Sequence, residues 1–208
     1  MQQPAPAPVK KDTRHLEVLE PQVTRGLAAQ FQLTHLLKRL PERPVWAAFM
    51  FVNGFITIAL LAACAMVAHT SFVFPSLGPT AILFFFSPLS PPASPRHTLL
   101  GHGIGILCGY GMLCATGLQH APAALVMGVD TRRILAAALA LALTSSLMIL
   151  CKAAHPPAGA TTLIIALGII TKPFQLVVIE IAVVILTLQA IVINRMAGLD
   201  YPLWAKRA

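Results

Sequence analysis

His155-Pro156-Pro157-Ala158-Gly159-Ala160-Thr161 breaks what would otherwise read as one continuous apolar run, and the chain is organised around this break. The segment has a counterpart. Phe74-Pro75-Ser76-Leu77-Gly78-Pro79-Thr80 lies 81 positions earlier and matches it at Pro75/Pro156, Gly78/Gly159 and Thr80/Thr161. Each break follows a hydrophobic stretch, opens a short apolar segment and is followed by another long run. Paired interruptions at corresponding places in two halves are the pattern of discontinuous membrane helices arranged about a shared site. Re-entrant turns without a ligand would show the same three matches, so the breaks alone leave both readings open.

Composition sets the class. The 208 residues are 57% hydrophobic and only 11% charged, whereas soluble domains carry roughly a quarter charged residues. The reading is an all-α, polytopic integral membrane protein whose first partner is the lipid bilayer. A net charge of +8 could point to nucleic acid, but the Lys and Arg residues flank the apolar runs instead of forming a stripe with interleaved aromatics. Orientation in the membrane accounts for them, and no nucleic-acid partner is expected.

Residues 1–44 form a basic N-terminal segment, with a Pro-Ala start that cannot build a core. Leu33, Leu36, Leu37 and Leu40 fall at helical spacing, which predicts an amphipathic surface helix over residues 24–40. Residues 46–68 hold no charge and reach about 35 Å as a helix, enough to cross a bilayer. Asn53 and Gly54 within that run mark a close helix approach. Ser94 as cap and Pro95 at the first position open a helix over residues 95–118, on which Gly101, Gly105 and Gly109 leave one face bare for a neighbour. His102 lies beside that face, as a proton carrier, a metal ligand or a hydrogen-bonded structural group. Residues 134–151 and 174–193 complete the spans. Thr144 to Ser146 supply hydroxyls midway along one; Glu180 interrupts the other, an acid that must be neutral, bonded to Lys152, His102 or a backbone amide, or engaged in proton coupling.

The expected architecture is therefore four full transmembrane helices plus two short broken or re-entrant helices. They fall in two repeats, about residues 45–120 and 131–195, within a membrane domain over residues 45–202 and ahead of a short tail at 203–208. Cys64, Cys108, Cys114 and Cys151 lie in apolar runs without metal spacing, and read as small buried hydrophobes. No phosphate loop, nucleophile-His-acid set or carboxylate pair is present, so no enzyme, cofactor or metal site is expected.

Pro75-Ser76-Leu77-Gly78-Pro79-Thr80-Ala81, then Ser87-Pro88-Leu89, then Ser94-Pro95-Arg96-His97 leading to Gly101-His102, then His155 to Thr162, and finally Asn194-Arg195 with Tyr201-Pro202 resemble the HPP family of integral membrane proteins. The resemblance covers residues 45–202. It implies four transmembrane helices and, because members are implicated in nitrite transport in plastids and cyanobacteria, a transporter or channel with a small inorganic anion such as nitrite or nitrate as substrate; a conduit for a neutral solute or a metal, lined by His155, His102 and the hydroxyls, and a non-transport membrane partner subunit are the alternatives.

Charge counting leaves the topology tied. With both termini cytoplasmic in a bacterial inner membrane, twelve basic residues lie inside and three outside whether the two breaks are re-entrant loops or complete their crossings. Only the places of Arg96, Lys152, Arg132 and Arg133 exchange. The extended-prone Ser71-Phe72-Val73-Phe74 favours the crossing form. In either form the short helices begin at Gly78 and Gly159 with unpaired amides and positive dipole ends directed at one place, which makes an anion site. Substrate contacts are accordingly expected from Pro75, Ser76, Gly78, Thr80, His155, Pro156, Pro157, Gly159 and Thr161, with the two glycines needed for backbone freedom. Gly-lined faces on so small a bundle favour a homo-oligomer.

Overall fold

Two Pro residues, Pro41 and Pro44, bracket the entry into the first long helix. The computed structural model describes residues 33–205, and all regular structure among them is helical. The expected surface helix is seen as α1 (Leu33–Arg39); its predicted beginning, and the disorder expected at the chain start, lie outside the described residues. The first span, α2 (Glu42–Ala68), starts four residues before the uncharged run, because Pro44 is compatible with a first helical turn. It ends at His69 in the left-handed conformation, φ 49°. Ser71 to Pro75 then carries the chain back into the bundle with Phe72 and Phe74 buried, and α3 (Leu77–Phe86) follows. A short turn over Pro91–Ala93 leads to α4 (Pro95–Ala115), then α5 (Ala124–Met127), α6 (Thr131–Leu150), α7 (Ala158–Ala166) and α8 (Pro173–Met196). Asp130 caps α6 by accepting from the Arg133 amide at 2.9 Å.

The repeat is visible in the helix bounds. A shift of 81 carries the start of α3, Leu77, onto the start of α7, Ala158, and the end of α4, Ala115, onto the end of α8, Met196. The end of α2, Ala68, falls one residue short of the end of α6, Leu150.

Contacts at the two ends show how the halves are related. At the first end, Val45, Ala197 and Leu199 share an apolar cluster against which Leu89 packs. There the Arg96 amide donates to the Trp204 carbonyl at 2.8 Å, and its guanidinium donates to the carbonyls of Cys151 (3.0 Å) and Lys152 (2.5 Å). The start of α2, the exit of α3, the start of α4 and the ends of α6 and α8 therefore lie together. At the second end, the Ala124 amide donates to the Leu167 carbonyl at 2.9 Å and Arg133 Nη2 to the Pro122 carbonyl at 2.5 Å, so the start of α6 meets the exit of α7. Matched helices run in opposite directions, which is an inverted repeat. Each short helix, with the extended segment ahead of it, leaves at the end opposite to the one where the chain entered.

Close approach is concentrated between α4 and α7. A Cβ on Gly101 would lie 2.6 Å from His155 Cβ; on Gly105, 2.9 Å from the Ala158 carbonyl oxygen and from Thr162 Oγ1; on Gly109, 2.8 Å from the Thr162 carbonyl oxygen. The bare stripe thus receives α7. At the matched positions of α8, Ala182 and Ala190 are buried in one core with Leu77, Ala81, Phe84 and Phe85 of α3. The close approach expected at Asn53 and Gly54 is absent: a Cβ on Gly54 would meet nothing within 4 Å, and Asn53 Nδ2 donates to Phe49 of its own helix at 2.7 Å.

After α8 the chain folds back on α3. Tyr201 is fully buried, its hydroxyl donates to the Ala93 carbonyl, and its ring meets Phe84 edge-on at 6.4 Å. Burial pushes this phenol above its ordinary pKa, so it stays a donor. Asn194 Nδ2 donates to the Phe84 carbonyl at 3.1 Å, and Arg195 Nε to the Tyr201 carbonyl at 3.0 Å. Outward, Phe51, Phe55, Val67, Leu107 and Leu150 are exposed, a surface suited to hydrocarbon.

Candidate functional site

The Gly101-Gly105-Gly109 stripe brings α7 so close to α4 that the side chains flanking it are excluded from solvent. Thr80 on α3, Thr98 and His102 on α4, His155 ahead of α7, and Thr161 and Thr162 on α7 are all 0% exposed. Their polar atoms must pair with one another. His102 Nε2 lies 3.0 Å from Thr80 Oγ1, and His102 Nδ1 lies 2.8 Å from Thr161 Oγ1. Thr80 Oγ1 is also 3.2 Å from His155 Nε2, and His155 Nδ1 is 2.7 Å from the Pro92 carbonyl oxygen. The two imidazole centroids are 5.0 Å apart.

The hydrogen positions follow from the one group that can only accept. Pro92 offers a carbonyl oxygen, so His155 Nδ1–H donates to it and Nε2 of the neutral ring is an acceptor. Thr80 O–H therefore donates to His155 Nε2, Thr80 Oγ1 accepts from His102 Nε2–H, and Thr161 O–H donates to His102 Nδ1. Four residues and a carbonyl form one chain with a single sense and every ring nitrogen satisfied. Thr98 Oγ1 stands 3.4 Å from His155 Nδ1 while donating to the Ser94 carbonyl at 3.1 Å. At the residue after Thr161, Thr162 Oγ1 is 3.0 Å from Thr144 Oγ1 of α6, which also donates back to the Ala140 carbonyl at 2.8 Å.

Ser76 stands apart from this satisfied chain. Its side chain is fully buried one turn before Thr80, its Oγ has no partner, and its carbonyl oxygen is 3.4 Å from Thr80 Oγ1. A buried hydroxyl without a partner costs about 1–3 kcal/mol.

The remaining sequence candidates are distributed as follows. Pro75 and Pro156 are exposed, while Pro157, Gly78 and Gly159 are half-buried. The unpaired amides expected at the start of α7 are engaged: Ala158, Gly159 and Ala160 donate to the carbonyls of His155, Pro156 and Pro157 at 3.0, 3.0 and 3.1 Å, because the Pro-Pro pair turns the chain tightly. Backbone freedom at the two glycines is not called on either. Among the described residues the positive-φ glycines are Gly117, Gly128, Gly168 and Gly198. A Cβ at Gly78 would meet nothing within 4 Å, and at Gly159 only Leu141 Cδ1 at 3.3 Å. Lys152 is exposed at the first end, whereas Glu180 lies two turns into α8 from the second, and its Oε2 is buried without a partner. Glu180 thus bonds neither Lys152 nor His102, whose ring nitrogens are both taken. Among the described residues no three His, Cys, Asp or Glu side chains converge.

Thr98 was legible in principle, since it falls one turn before His102 on the glycine face. The Pro92 carbonyl carries no signal in sequence. A wide, open apolar groove of about 700 Å³ lies elsewhere, between α1, α2 and α8, with Asn53 as the one polar side chain lining it.

Four membrane-length helices, two half-length helices entering from opposite sides and a dry polar junction between them define a polytopic helical membrane protein built as an inverted repeat. The HPP transmembrane region matches residues 41–202, and the chain belongs to that family. It is similar to a transmembrane protein of Dictyostelium discoideum, 29% identical over 165 residues, covering 76% of this chain and 54% of the relative. A second transmembrane protein of that organism is 32% identical over 120 residues, covering 57% of this chain and 35% of the relative. The chain spans about half the length of the first and a third of the second. No solved structure matches.

Proposed function

We propose that the protein is a carrier for a small solute, and that the solute binds where the two half-helices meet at His102. One observation carries the reading: Thr80 and Thr161, matched across the repeat and delivered by half-helices running in opposite directions, converge on the same buried imidazole. Polar groups held dry inside a membrane bundle are costly, and broken helices at a repeat interface are where transporters place their sites. The unpartnered Ser76 hydroxyl next to this junction supplies a free donor for a ligand. Complete burial of both rings fits a carrier in an occluded state better than an open pore.

A small inorganic anion is the substrate class the family resemblance implies, with nitrite and nitrate as the first probes. Recognition would run through the hydroxyls of Ser76, Thr80 and Thr161 and the imidazoles of His102 and His155, not through the α7 amides. In the same reading both termini face the cytoplasm of a bacterial inner membrane, with Arg96 and Lys152 on that side, and the protein works as a homo-oligomer. The test is uptake of nitrite, nitrate and chloride into liposomes holding purified protein. Uptake above protein-free liposomes supports the carrier; no movement of any of the three rejects the anion class.

A small neutral solute is the second reading, favoured by the absence of any Lys or Arg side chain among those bonded to the two rings. Response of flux to an imposed membrane potential separates it from uncoupled anion movement.

A further inference from the structure

We infer that the His102–Thr80–His155 cluster is a binding site for one proton, and that this proton crosses together with a small monovalent anion. The second half of this statement rests on the carrier reading; the first does not.

The geometry holds a vacancy for the proton that requires no side chain to leave its place. In the neutral chain His155 Nε2 is the acceptor and the Thr80 hydroxyl points at it across 3.2 Å. Add a proton to His155 Nε2 and that nitrogen becomes a donor to Thr80 Oγ1, which already accepts from His102 Nε2–H. The displaced Thr80 hydrogen needs a new acceptor, and the Ser76 carbonyl oxygen stands 3.4 Å away. A rotation of one O–H bond completes the change, and His155 Nδ1–H keeps its bond to Pro92. Every donor and acceptor is paired in both states.

The pair takes one proton, not two, since imidazolium centroids 5.0 Å apart in a dry interior repel strongly. No fixed charge is positioned to neutralise it. On α4, His97 is near enough to His155 to oppose a charge there, Arg96 lies toward the first end, and Cys108, Tyr110 and Cys114 lie further along; α3 and α7 carry no ionisable side chain. On α6 none lies between Arg133 and its end at Leu150, with Lys152 following, and on α8 the membrane-embedded acid is Glu180, which bonds neither ring. An isolated buried cation is expensive, and so is an isolated buried anion. Each makes the other affordable at this junction, so the two are taken up and released as a neutral couple.

The experiment uses full-length protein in liposomes, with nitrate as probe because its conjugate acid is too strong to cross the bilayer unaided near neutral pH. The expected result is acidification of the lumen in step with nitrate entry, about one proton per nitrate, with uptake driven by a pH gradient and indifferent to membrane potential. His155→Gln should abolish the acidification, since glutamine can bond to threonine but cannot take a proton, whereas His102→Gln leaves His155 Nε2 in place and should retain it. Nitrate uptake by wild type without acidification, or acidification that survives in His155→Gln, overturns the coupling. A second measurement stands apart from transport: nitrogen-15 NMR of histidine-labelled wild type from about pH 8 to about pH 4. Gain of a single proton by the His102/His155 pair upholds the proton site even if no nitrate moves, in which case only the anion carrier falls. Two rings that stay neutral throughout overturn the proton site.

Discussion

Thr80 and Thr161 occupy the same position in the two halves of the chain and bond opposite nitrogens of one imidazole, Nε2 and Nδ1 of His102. The relationship makes the two hydroxyls unequal. Thr80 is an internal link, tied to both rings, whereas Thr161 terminates the chain.

Threonine-to-valine changes at these positions conserve shape and delete only the hydroxyl. Thr80→Val should leave two buried ring nitrogens without partners and Thr161→Val one, at about 1–3 kcal/mol for each. Thermal unfolding in detergent should therefore rank wild type above Thr161→Val above Thr80→Val, with serine at either place restoring much of the loss. Equal melting temperatures for the two valine variants would contradict the assigned chain.

Glycines on α4 divide by what faces them. Gly101→Ala puts a methyl group 2.6 Å from His155 Cβ and should cost about 1–3 kcal/mol by overpacking, whereas Gly103→Ala meets nothing within 4 Å and should be neutral or stabilise by up to about 1 kcal/mol. Gly78→Ala, equally unobstructed, should also fold normally. The same melting assay decides, and a Gly101→Ala protein as stable as wild type would remove the close α4–α7 contact.

Arg96 and Trp204 share the first end, and Arg132 begins α6 at the second. Single cysteines at these positions, in a background lacking Cys64, Cys108, Cys114 and Cys151, should label in two groups with an impermeant thiol reagent. Positions 96 and 204 are expected to react from one side and position 132 from the other. Reaction of 96 from one side and of both 132 and 204 from the other would mean that α3 and α7 do not complete their crossings.

Glu180 is buried in part and bonded to neither histidine. Glu180→Gln removes the charge while conserving volume, so melting temperature should hold or rise. The pH dependence of nitrate uptake should persist, since proton coupling is assigned to the imidazoles. Loss of that dependence with an unchanged melting curve would move the coupling role to Glu180.

Hydrophobic run length, the Pro-Gly-Thr echo at a shift of 81 and the glycine spacing on α4 were enough to determine a helical membrane protein with two repeats and two short helices. These are local properties: a run is apolar or not, and a proline interrupts it wherever the chain later goes. The site was legible in part, since Thr80, His102, His155 and Thr161 all stand out in the sequence, but the amides at the start of α7, read as unpaired, are engaged. Amides at 158–160 are consumed by the turn that Pro156 and Pro157 impose, and only a folded backbone reveals that. Charge counting could not choose between re-entrant and crossing short helices, because exchanging Arg96 and Lys152 for Arg132 and Arg133 leaves the balance the same. The choice came from the Arg96 amide reaching the Trp204 carbonyl, a contact between residues 108 positions apart that exists only once the bundle has assembled. Which threonine faces which ring nitrogen was settled by the same packing, since the glycine stripe sets how near α7 approaches α4 and hence which polar atoms are left with no partner but each other.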